Sequence, residues 1–285
     1  MIYGIVFLMS FSLTYLIKNY SISKLLVAEV TDRSSHTTPT PHGGGIAIAI
    51  TWFLGISYLF YINDINSSLY YALMVGIIIS VISYLDDLYE LSAKVRILVQ
   101  SVVALLGIYF LGGLGNIDLI IISIENQFVT SVFAFFMIVW FINLYNFLDG
   151  IDGYAGCEAV FLALSGYLLF GDNHFLVLVS ATFGFLIWNW HKAKIFMGDV
   201  GSATLGFIFA ILCFYDTSSG NIYVWLILLS VFWFDATITI VKRYRNNEKL
   251  TVAHKKHMYQ RLIQSGWSHF KVTSYALILN LIFLT

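Results

Sequence analysis

Short polar loops divide the chain into ten long apolar runs, and this spacing decides what it can fold into. The runs lie at about Met1 to Ile17, Gly44 to Tyr61, Leu69 to Leu85, Ile97 to Leu114, Phe128 to Tyr145, Cys157 to Phe170, Phe175 to Trp190, Ala203 to Tyr215, Ile222 to Val241 and Phe270 to Thr285. A helix crosses a bilayer with roughly 17 to 25 apolar residues, and inside hydrocarbon its backbone must satisfy its own hydrogen bonds. Of the 285 residues, 59% are apolar and 11% charged, against roughly 25% charged in a soluble domain. The expected class is all-α: a polytopic integral membrane protein of about ten transmembrane helices, built as one domain over residues 1–285. A water-soluble fold is excluded. Cys157 and Cys213 both sit in apolar runs, which argues against a disulfide scaffold or a cysteine metal site.

The first run has no basic leader or small-residue cleavage site, and Lys18 follows it, so it reads as a retained signal-anchor helix with its N-terminus outside. The loops agree with that orientation. Cytoplasmic loops collect Lys and Arg, and all 15 basic residues fall in alternate loops or at their borders: Lys18 to Arg33, Lys94 with Arg96, Lys192 with Lys194, and Lys242 to Lys271. The opposite loops hold only acids, such as Asp64, Asp118, Glu125, Asp172 and Asp216. Both termini are therefore expected outside.

The informative polar residues crowd the basic, cytoplasmic side. Both prolines lie in Thr38-Pro-Thr-Pro-His-Gly-Gly-Gly45, a loop that either approaches a ligand closely through Gly44 or is simply a stiff turn before a tightly packed helix. Asp86-Asp87 ends the third run, with Lys94 and Arg96 where the fourth begins; the pair is either a site or an interfacial acid pair balanced by those bases. Asn143, Asn146, Asp149 and Asp152 recur every third residue into Asp-Gly-Ile-Asp-Gly, where a loosening helix would turn all four toward one cavity. The alternative gives the Asn residues to helix packing and the Asp residues to capping. Asp199 in Phe196-Met-Gly-Asp-Val-Gly-Ser202 is placed to cap the eighth span, and Gly198 and Gly201 frame it. The last loop carries His254-Lys-Lys-His257-Met-Tyr259-Gln260, without the spacing of a zinc site. Hard oxygen donors without a dedicated cage suit magnesium, which keeps water and takes substrate phosphates. Residues alone thus point to a magnesium-dependent enzyme acting on a phosphorylated substrate at the inner leaflet. An ion-coupled transporter is the competing class, with Asp235 in the ninth run as its best residue.

These motifs, in this order and on this side, resemble those of the polyprenyl-phosphate N-acetylhexosamine-1-phosphate transferases. The resemblance runs over nearly the whole chain and lies closest to the O-antigen-initiating type that handles GlcNAc or FucNAc. It implies transfer of a sugar 1-phosphate from a UDP-N-acetylhexosamine to undecaprenyl phosphate in a bacterial inner membrane, with release of UMP and no nucleic-acid partner. It implies Mg2+, with Mn2+ as substitute, held by Asp199 and Asn146, and leaves a homodimer open. Asp86, Asp87, Asp149, Asp152 and His257 match catalytic positions; Lys94, Arg96, Asn143, His254, Gly44 and Gly198 match the substrate side. Tyr259 and Gln260 depart from the family pattern, standing where histidines are usual.

Overall fold

The computed structural model describes residues 1–23, 27–28, 39–115, 117–119, 122–215, 221–249 and 254–284. Arg33, Thr38, Asp216 and Thr285, weighed above, lie outside them, as does Lys24. The described residues form α1 (Ile2–Ser23), α2 (Gly45–Tyr61), α3 (Ser67–Met74), α4 (Gly76–Tyr89), α5 (Ala93–Phe110), α6 (Gln127–Leu148), α7 (Tyr154–Phe170), α8 (Asn173–Asn189), α9 (Asp199–Tyr215), α10 (Asn221–Leu228), α11 (Ser230–Arg245), α12 (Met258–Gln264) and α13 (His269–Leu284). Two short antiparallel pairs accompany them: β1 (Val27–Ala28) with β2 (Thr40–Pro41), and β3 (Ile117–Leu119) with β4 (Ile122–Ile124).

Among the described residues each expected run is largely helical, so the all-α, multi-pass reading stands. Four stretches among the described residues are long and apolar enough to cross a membrane: Ile2–Ser23, Ser67–Tyr89, Ala93–Phe110 and Gln127–Leu148. The pair α10 and α11 would be a fifth. The other apolar helices have 16 or 17 residues, about 25 Å at 1.5 Å per residue, against a hydrocarbon core of about 30 Å. Ten crossings with both termini outside remain a proposal.

The ninth run departs from expectation, because α10 and α11 meet at a 74° bend. The bend frees backbone groups, and Trp233 answers one of them by donating its indole N–H to the Leu226 carbonyl at 2.7 Å. Three helix starts carry an ordinary side-chain cap: Asn66, Ser92 and Asn126 accept the Ser68, Val95 and Phe128 amides at the heads of α3, α5 and α6.

The core is organised around α9, in which every residue from Val200 to Phe214 is buried. A helix apolar on all faces must be enclosed on all faces, and α2, α4 and α6 supply the enclosure. Small residues allow the close approach. A Cβ on Gly45 would run into the Gly201 backbone, and one on Gly206 into the Phe141 carbonyl. Ser80 and Thr204 share a hydroxyl hydrogen bond of 2.7 Å that pins α4 to α9, worth about 1 kcal/mol in a membrane. These contacts bring the end of α4, the end of α6 and the start of α9 to one place.

Candidate active site

At that place a cavity of about 610 Å³ opens between the helix ends, lined by Asp86, Asp87, Asp149, Asp152, Asp199 and Asn146 among others. Beside it, touching the cavity through Phe196, runs a backbone ladder between two motifs distant in sequence. The Gly44 amide donates to the Phe196 carbonyl at 2.9 Å, Gly45 to Met197 at 2.8 Å, and Phe196 to Pro41 at 2.8 Å. Gly198 takes a φ of +77°, which a glycine adopts without strain, and brings its backbone beside the Asp87 carboxylate.

The sequence suggests that Asp199 caps its own helix; the structure corrects this. Asp199 is the first helical residue of α9, and the Asp87 carboxylate, arriving from α4, accepts the Asp199 and Val200 amides. Asp199 is thereby left to accept Asn146 Nδ2 at 2.8 Å; the same amide reaches Ser202 Oγ at 3.2 Å. Asp86 is fully engaged elsewhere. Its Oδ1 accepts the Leu91 amide at 2.7 Å and its Oδ2 meets Arg96 Nη1 at 3.2 Å.

Asp149 follows the last residue of α6 and accepts the Gly198 amide. Burial, then the carboxylates of Asp199 and Asp87, push its pKa up to about 7 against that hydrogen bond. Asp152 behaves in the opposite way. Burial alone would raise it, but the His269 hydrogen bond and charge, the Ala193 amide and His191 outweigh burial and hold it below the usual carboxylate range. His269 Nδ1 lies 3.2 Å from Asp152 Oδ1, and His191 Nδ1 3.4 Å from Oδ2. Burial lowers His42, which lines the same cavity, with Asp199 pulling the other way.

Asp87, Asp149 and Asp199 therefore concentrate negative charge around Asn146, with Arg96 and His42 as partial counterweights to Asp199. This donor set fits a hard divalent cation. Among the described residues no three His, Cys, Asp or Glu side chains are grouped to cage a metal by themselves, so phosphate oxygens and water would complete its shell.

Several expected site residues lie elsewhere. Asn143 pairs with Gln100, donating from Nδ2 to Oε1 at 2.8 Å, and joins α6 to α5, so helix packing accounts for it. Gly44 faces Phe185 and the Phe196 carbonyl, as the tight-packing alternative anticipates. Lys94 is exposed and not part of the cavity lining. His257 is buried between the Phe147 and Tyr259 rings, and His254 faces a separate basic pocket with Arg243, Lys255 and Lys256. The imidazoles that reach the cavity are His42 and His269. His42 stands inside the Pro-Gly motif; His269 directly precedes the last apolar run, where a lone imidazole at a helix head was the available signal. Asp235, the transporter's best residue, accepts backbone amides of α12 and is not among the residues lining the cavity.

Residues 69–216 match the model of glycosyl transferase family 4. The chain is 32% identical over 273 residues to a probable undecaprenyl-phosphate N-acetylglucosaminyl 1-phosphate transferase of Bacillus subtilis, covering 90% of this chain and 75% of that one. It is 28% identical over 294 residues to the decaprenyl-phosphate N-acetylglucosaminephosphotransferase of Mycobacterium leprae, covering 86% and 72%. A phospho-N-acetylmuramoyl-pentapeptide-transferase of Wolbachia is 34% identical over 191 residues, covering 59% and 57%. The matched stretch contains each acid that lines the cavity from Asp86 to Asp199, and the chain belongs to glycosyl transferase family 4, among the polyprenyl-phosphate hexosamine-1-phosphate transferases.

Proposed function

We propose that this chain is a magnesium-dependent enzyme of a bacterial inner membrane that transfers an N-acetylhexosamine 1-phosphate from a UDP-sugar to undecaprenyl phosphate. UMP leaves, and the lipid-linked sugar starts a surface glycan such as an O-antigen. The observation that carries this reading is the gathering of Asp87, Asp149, Asp199 and Asn146 at the head of α9. GlcNAc is the leading sugar, because the relatives from Bacillus and Mycobacterium are named for it.

A phosphate monoester has a second pKa near about 6 and is mostly a dianion at cytoplasmic pH, so a base has little proton to remove. The residues' work is alignment and control of charge. Asp199 and Asn146 would hold the cation with Asp149 beside them; once bound, it stabilises charge on the diphosphate. Asp86 is held by Leu91 and Arg96, and Asp87 by two amides of α9. Carboxylates so engaged are suited to position loops and helix ends, which favours a single in-line displacement by the lipid phosphate.

The test is UMP release by the purified full chain with Mg2+, undecaprenyl phosphate and a panel of UDP-N-acetylhexosamines. Release from UDP-GlcNAc is expected; no release from any donor overturns the proposal. Without lipid, the enzyme should give neither a UMP burst nor a sugar-phosphate adduct. An adduct on Asp86 or Asp87, found by mass spectrometry, would reassign the pair to nucleophilic catalysis.

A further inference from the structure

Helix α12 has seven residues, too few to persist alone, and its first-turn amides need acceptors. Asp235, from the middle of α11 and 5% exposed, provides them. Its Oδ1 accepts the Met258 amide at 2.7 Å and its Oδ2 the Tyr259 amide at 3.3 Å. Thr239 Oγ1 donates to Oδ1 at 3.2 Å, and His257 Nδ1 lies 3.5 Å from the same oxygen. This grip sets the position of Tyr259, which is 2% exposed and packed against the Tyr154 and His257 rings.

The Tyr259 hydroxyl then reaches across to α6, donating to the Phe147 carbonyl at 3.1 Å. That carbonyl belongs to the last turn of α6, where no further intrahelical amide is available. Gly150 completes the fit, since a Cβ there would collide with the Tyr259 hydroxyl and ring. Phe147 lies between Asn146 and Asp149, and Gly150 directly after them.

We propose that Asp235 and Tyr259 form one strut that positions the end of α6, and with it Asn146 and Asp149, against Asp199. Tyr259 is then a positioning residue, and it acts through backbone without touching substrate. Burial, with Asp149 and Asp235 nearby, raises the phenol's pKa and keeps its donor proton in place. The assignment to catalysis rests on the proposed function; the mechanical claim does not.

The experiment uses the full chain in nanodiscs, with Tyr259→Phe, Asp235→Asn and the double variant compared by backbone hydrogen exchange. Each single variant should raise exchange at residues 149–153 by about tenfold while α8 is unchanged. The double variant should add nothing beyond the larger single effect, because a strut breaks once. In the UMP assay kcat should fall about tenfold, with the KM for UDP-GlcNAc moving less than about twofold. Unchanged exchange at 149–153 in Tyr259→Phe, or additive effects in the double variant, overturns the strut. Should Asp235→Asn fail to fold, Tyr259→Phe decides alone, since it removes one oxygen and keeps the ring. Should the wild type release no UMP, the proposed function fails, and the exchange result still decides whether the strut exists.

Discussion

Asp149 and Asp152 stand three residues apart on one loop and line one cavity, yet their surroundings give them opposite electrostatics. Burial, and then the facing carboxylates of Asp199 and Asp87, push Asp149 up to about 7. Asp152 gathers His269, His191 and the Ala193 amide and falls below its ordinary value. One wall of the cavity thus sets carboxylates against one another, and the other carries a carboxylate already paired. The lesson is that Asp-Gly-Ile-Asp-Gly places two identical side chains, while elements far away in sequence decide which is available for chemistry and which ties loops together.

The comparison breaks hardest at Asp199. Asp199→Asn should lower UMP release by at least about a thousandfold, with thermal stability in detergent close to wild type; near-full activity at saturating Mg2+ would remove it from the cation wall. Asp152→Asn should reverse that balance. It releases α13 and the segment after α8 from a shared carboxylate, so the fall in Tm should exceed that of Asp199→Asn while activity drops only about tenfold. A smaller fall in Tm than in Asp199→Asn would show that the paired wall is not a structural tie.

Proton linkage gives a milder test. A carboxyl whose folded pKa lies above its unfolded 3.8 contributes stability that is fully present below about 4 and lost as pH rises through about 7. Chelated wild-type protein should therefore lose several degrees of Tm between about pH 5 and 8. Asp149→Asn should flatten that slope, and Mg2+ should restore the high-pH stability of the wild type. A flat wild-type profile would mean that the acidic wall is already neutralised. The smallest effects belong to residues outside both walls: Asn143→Leu and His254→Ala should stay within about threefold of wild-type UMP release. A hundredfold loss in either would return that residue to the site.

The sequence is legible where a property is carried by consecutive residues. The apolar runs yield the helices, and the Asn-x-x-Asn-x-x-Asp series ending in two glycines marks the cavity, because both depend on local spacing. Capping across helices is not local. Asp199 reads as its own helix cap until Asp87 arrives from α4 and takes the amides. Asn143 shares its spacing with Asn146, yet only the tertiary fold gives it Gln100 as partner. The histidines follow the same logic: His257, expected in the site, is enclosed by aromatic rings, while His269 reaches the cavity because α13 starts beside Asp152. The 74° bend between α10 and α11 has no proline or glycine to announce it.

The enclosure of α9 also assigns the moving and the stationary parts of any catalytic cycle. Asp199 heads a helix gripped by α2, α4 and α6, with backbone against backbone at Gly45 and Gly201. Shifting that carboxylate as a rigid body would displace three neighbours together, against close packing that resists small deformations. It serves as an anvil. Substrate-dependent adjustment then falls to the periphery, where His269 at the head of α13 meets the loop around Asp152, so opening and closing of the site should be read from the motion of His269 and not from that of Asp199.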